Sequence, residues 1–105
     1  MFPPEVGKTV AQVLVTLFDK TLVDASLQMA NTLRKAGLKT EMYFETASLG
    51  DQIRYAGKKD IPCVVILGPD EVAGNQVTVR NLRLKEQQTV KSSEAIELIN
   101  KWMVR

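Results

Sequence analysis

At 105 residues, with 45% apolar and 25% charged side chains, the chain has the size and composition of one folded domain rather than a disordered segment. It has no histidine and a single cysteine, Cys63, which excludes Ser-His-Asp and Cys-His catalysis, histidine metal ligands, an internal disulfide and a multi-thiolate site. A formal net charge of +2 permits RNA binding without demanding it, and the basic surplus is confined to residues 51–105, with nine Lys/Arg against seven Asp/Glu.

Residues 1–9 read as a linker or irregular lead-in to a single domain spanning 1–105. Within it, Val6-Gly7-Lys8-Thr9 imitates the end of a phosphate-binding loop, but Phe2 stands where the first glycine belongs and a strand follows instead of a helix. No nucleotide site is expected there. Residues 10–18 (VAQVLVTLF) are apolar on both alternating faces, which predicts a central strand covered from both sides. Asp19-Lys20-Thr21 breaks that run. Asp19 lacks the adjacent acidic pair that a phospho-accepting site needs, so it reads as a turn residue and helix-start charge.

Leu22, Ala25, Met29, Leu33 and Ala36 recur at helical spacing, Asp24 and Arg34-Lys35 suit the two ends of the helix dipole, and Gly37 closes it. Leu38 to Phe44 predicts a second strand. Ser48 is a good N-cap for a helix carrying Leu49, Ile53 and Ala56, with Gly57 weakening it near its end. Ile61 to Leu67 predicts a third strand, which Pro62 can enter only near the beginning. Cys63 lies in that apolar run and reads as a small buried hydrophobe. Gly68-Pro69-Asp70 is turn chemistry, and Asp70-Glu71 reads as a solvated turn rather than a catalytic carboxylate pair. Residues 76–82 and 86–90 predict a hairpin turning at Arg83-Leu84-Lys85. Ser92-Ser93 then cap a last helix with Ala95, Ile96, Ile99, Trp102 and Met103 on its inner face.

The order β-α-β-α-β-β-β-α predicts an α/β fold. It is a three-layer α/β/α sandwich on a mixed five-stranded sheet, with right-handed crossovers and an antiparallel fourth strand. Gln76, Thr78 and Arg80, two apart, share one face of that strand and would present polar groups to unpaired bases. Taken alone, basic strand residues of this kind are more often a solvated face. No apolar run approaches a membrane span, and the expected location is cytoplasmic.

The stretch from Ser48 to Leu82 resembles the centre of the anticodon-binding domain shared by the histidine, threonine, proline and glycine class II aminoacyl-tRNA synthetases. Leu49-Gly50, Gln52-Ile53-Arg54-Tyr55-Ala56, Ile61-Pro62, Val65-Ile66-Leu67-Gly68, Asp70-Glu71 and Val77-Thr78-Val79-Arg80-Asn81-Leu82 carry the match. It continues upstream through Leu33-Arg34-Lys35-Ala36-Gly37. Arg54-Tyr55-Ala56, Asn81-Leu82 and Glu86-Gln87 are most similar to the C-terminal domain of the histidine enzymes.

The resemblance implies a module that binds the anticodon loop of a tRNA, here the histidine tRNA. A separate catalytic domain would carry out the ATP-dependent ligation, so the chain is no enzyme by itself and needs no cofactor or metal. A homodimer of the full-length protein is a further implication. By motif position, Glu71 and Arg80 would read bases, and Gly50 and Gln52 would start the helix that meets a phosphate or base. Arg54, Tyr55 and Asn81 would complete the RNA-binding set. Asp51 stands where relatives often carry a lysine, which reverses the charge beside the expected RNA surface. The alternative is a synthetase-like interaction or dimerisation domain without specific anticodon reading.

Overall fold

The computed structural model describes residues 11–43, 45 and 47–103. The expected lead-in over 1–9, with its Gly7-Lys8-Thr9 segment, lies outside them, as do Val10 and Phe44 at the ends of two expected strands. The elements run β1 (Val13–Val15), α1 (Val23–Lys35), β2 (Thr40–Met42), α2 (Leu49–Lys58), β3 (Cys63–Ile66), α3 (Pro69–Ala73), β4 (Gln76–Asn81), β5 (Glu86–Lys91) and α4 (Ala95–Met103).

The sheet order is β2-β1-β3-β4-β5. β1 pairs parallel with β2 and β3, and β4 pairs antiparallel with β3 and β5. The expected mixed sheet with an antiparallel fourth strand is what forms. Strand alternation sorts the core into two layers. Val13, Val15, Cys63, Val65, Val77 and Val79 face α1 and α4, meeting Met29, Ala30, Leu33, Ala95 and Ile99. Leu14, Val64 and Ile66 point the other way, towards Ala56 of α2. β1 and β3 are therefore covered on both sides, as their unbroken apolar runs require.

Local chemistry sets the helix ends. Gly37, at φ +91°, closes α1 with its N–H on Arg34 O (3.0 Å) while the Leu38 N–H reaches Leu33 O (3.1 Å). That is a left-handed glycine cap, with Leu38 folding back into the core beside Leu33. The Ser48 hydroxyl accepts from the Asp51 N–H at 3.1 Å and caps α2 as its sequence position predicts.

Two expectations fail locally. Gly68-Pro69-Asp70 does not stop at a turn: Pro69 takes the first helical position, Glu71 folds back to accept the Gly68 N–H (3.0 Å), and α3 forms. Ser92 and Ser93 do not cap the last helix either. Lys91 caps a 3-10 turn over Ser92–Glu94 through the Glu94 carboxylate (3.2 Å), and the Ser92 hydroxyl donates to Asn75 O (3.2 Å). Among the described residues no helix is long and apolar enough to cross a membrane.

Candidate nucleic-acid interface

The three parallel strands end on the same side of the sheet, where open α/β sheets place ligands. The segments that follow them supply Phe18 after β1, the first turn of α2 after β2, and Gly68 with α3 after β3. The polar face of the β4–β5 hairpin adjoins this rim, because Thr78 of β4 pairs with Ile66, the last residue of β3.

Glu71 is held from two directions. One carboxylate oxygen accepts the Gly68 N–H at 3.0 Å, and the other accepts the Thr78 hydroxyl at 3.1 Å. Thr78 in turn lies 2.9 Å from the Thr89 hydroxyl across the hairpin. A carboxylate offers about four acceptor directions, so two remain for a ligand. Two residues along the same face, Arg80 sits opposite Gln87. Its Nε is buried and has no hydrogen-bond partner among the described residues. An unpaired buried donor forfeits about 1–3 kcal/mol of solvation, which a ligand acceptor would restore. Acceptor and donor therefore stand on one sheet face, framed by exposed Gln87 and Thr89. Their period-two spacing along β5 was present in the sequence, but the register that aligns them with Arg80 and Thr78 was not.

The other expected residues divide. Gly50 lies exposed in the first turn of α2, where an added Cβ would meet only the Ser48 hydroxyl oxygen, at 4.0 Å. Gln52 reaches the same rim but is buried, and its amide clasps the main chain: it accepts from Leu17 N (2.9 Å) and donates to Leu17 O (2.8 Å) and Ala47 O (3.0 Å). Its role in the free protein is to pin α2 to the end of β1. Arg54 is on the solvent side, paired with Asp51 at 3.2 Å, with 71% and 56% of the two side chains exposed. Asp51 thus engages Arg54 in an exposed pair worth little to stability.

Tyr55 and Asn81 point elsewhere. The Tyr55 hydroxyl donates to the Glu41 carboxylate on β2, at the far edge of the sheet, and its ring stands edge-on to Tyr43 with centroids 5.2 Å apart. The hydrogen bond to Glu41, aided by burial, pushes the phenol up to about 12. Asn81 is buried, and its side-chain oxygen accepts from Arg83 N (2.9 Å) and Leu84 N (3.0 Å), building the hairpin turn. Neither joins the Glu71–Arg80 face. Phe18, the last residue of the first apolar run, is an exposed ring at the rim, which its place in that run did not reveal.

Comparison with known proteins follows the same lines. The model of the family described as "Anticodon binding domain" matches residues 12–102. A histidine–tRNA ligase of Clostridium tetani is 35% identical over 89% of this chain and 21% of its own length. One from Stenotrophomonas maltophilia is 43% identical over 73% of this chain and 16% of its own length. The chain thus spans about a fifth of the relatives it matches. The crystal structure of a histidyl-tRNA synthetase from a Nostoc species superimposes with a TM-score of 0.89 at 33% identity, over 91% of this chain and 23% of that one. The RNA-binding domain of a threonyl-tRNA synthetase from Cryptosporidium parvum shares the fold, with a TM-score of 0.80 at 16% identity over 87% of this chain.

Proposed function

The chain belongs to the anticodon-binding-domain family, and on that premise we propose that it reads the anticodon loop of the histidine tRNA on behalf of a histidine–tRNA ligase. Ligation belongs to a catalytic domain that the matched stretch does not include. In the full-length, cytoplasmic, homodimeric protein, this module positions the tRNA for that domain.

The observation that carries the reading is the pairing of a fixed acceptor, Glu71, with an unsatisfied donor, Arg80, on one face. A carboxylate accepts from the N1 and N2 donors of guanine, and a guanidinium donates to O6 and N7. Loop bases expose such edges because they are unstacked. Gly50, at the open start of α2, lets a phosphate approach the helix N–H groups. Gln52 acts indirectly, through the main chain it holds.

An RNA stem-loop carrying the histidine anticodon should bind this chain better than one with a substituted anticodon. Glu71→Gln or Arg80→Ala should each erode that preference by about 1–3 kcal/mol, measured by fluorescence anisotropy at fixed, low salt. Equal binding of both RNAs by the unaltered chain would instead favour an interaction or dimerisation module.

A further inference from the structure

Four large apolar side chains are exposed among the described residues: Phe18, Leu49, Val72 and Leu84. Three of them follow the three parallel strands and gather at the rim that carries Glu71. Phe18 is the aromatic one, with 51% of its surface open.

The backbone under Phe18 is fixed on both sides. The preceding residue, Leu17, has its N–H and its carbonyl bound by Gln52, and the following one, Asp19, accepts the Thr21 N–H at 2.8 Å to start a 3-10 turn. Gly68 separates the ring from the Glu71 carboxylate with nothing but hydrogen. A Cβ placed on Gly68 would lie 2.8 Å from Glu71 Oε1 and 3.7 Å from the Phe18 ring. One edge of the ring and a fixed acceptor thus both border Gly68. A base that stacked on the ring would also cover apolar surface that the free protein leaves in water.

We propose that Phe18 is the stacking platform for one unpaired base of the bound loop, the base whose edge Glu71 reads. This rests on the anticodon-loop reading and deepens it by dividing the work. The ring binds any base through its π face, while the carboxylate discriminates among them. Loss of the ring therefore weakens every RNA alike, and loss of the carboxylate narrows the gap between RNAs.

The test uses the chain with cognate and anticodon-substituted stem-loops, each also made with an abasic nucleotide at one anticodon position at a time. Phe18→Leu should weaken both intact loops by a common factor, on the order of tenfold, and Phe18→Tyr should retain binding. At one abasic position the Phe18→Leu penalty should vanish, because the base that stacked is gone. Glu71→Gln should reduce the ratio between the two RNAs instead. If Phe18→Leu binds within about twofold of the unaltered chain, or its penalty persists at every abasic position, the platform is overturned while an intact anticodon preference leaves the parent reading standing. Absence of that preference in the unaltered chain overturns the parent reading and the platform with it.

Discussion

Gln52 is a polar side chain serving the main chain from inside the protein. Its amide satisfies both polar groups of Leu17, which lies beyond the last bridged residue of β1. Replacing it with leucine keeps the volume and removes the partners, leaving a buried N–H and carbonyl unpaired. Gln52→Leu should lower stability by about 2–4 kcal/mol, read as a lower urea midpoint at unchanged slope. The resemblance placed Gln52 at the start of the helix that would meet a phosphate or base, and its residue type gives no sign that the side chain turns inward. Nothing nearby in the chain announces a main-chain partner 35 residues away. The resemblance singled out Glu71 and Arg80 as candidates, but the Gly68 and Thr78 anchors that hold the carboxylate depend on α3 and on hairpin register.

At the scale of elements, the helices and strands with strong patterns were legible and their ends largely so. Ser48 and Gly37 do what their positions predict. α3 was not legible, because five residues carry too little periodicity to distinguish a helix from a turn. Gly57 offers a test of how far α2 is from its best sequence. It has ordinary helical geometry, and a Cβ there would meet nothing within 4 Å. Gly57→Ala should stabilise the chain by about 0.5–1 kcal/mol, seen as a rise in Tm of several degrees. Gly37 sets the contrast, since its φ of +91° makes any side chain there strained.

Across the whole molecule, burial is uneven: β1 and β3 lie under helices on both faces, whereas β5 is largely exposed. The apolar runs made the covered half legible. The polar hairpin was legible as strands, and the Thr78–Arg80 face as a candidate surface for bases, but the register that sets Gln87 and Thr89 beside that face was not. Cys63, at the centre of the covered half, reports on global stability. Burial pushes its thiol up to about 11, so the folded chain keeps a proton that the unfolded chain releases from about pH 9 upwards. The unfolded state binds fewer protons in that window, and stability should be flat below it and fall between about pH 9 and 11. Tyr55, pushed up to about 12, extends the fall upwards. Urea midpoints across pH 7–11 measure this, and Cys63→Ala should lose the lower part of the alkaline decline.

The sheet order also has a consequence in time. β1 is the first of the five strands to be made, β2 and β3 flank it, and β4 and β5 then add outward beyond β3 in the order in which they are synthesised. The rim beside Phe18 is set once the chain has passed Gln52, the carboxylate gains its second anchor with Thr78, and the wall beyond it waits for Thr89. A growing chain therefore gathers most of its core strands before the polar wall of β5 stands beside Glu71 and Arg80, and the proposed recognition surface is the last part of the sheet to be completed.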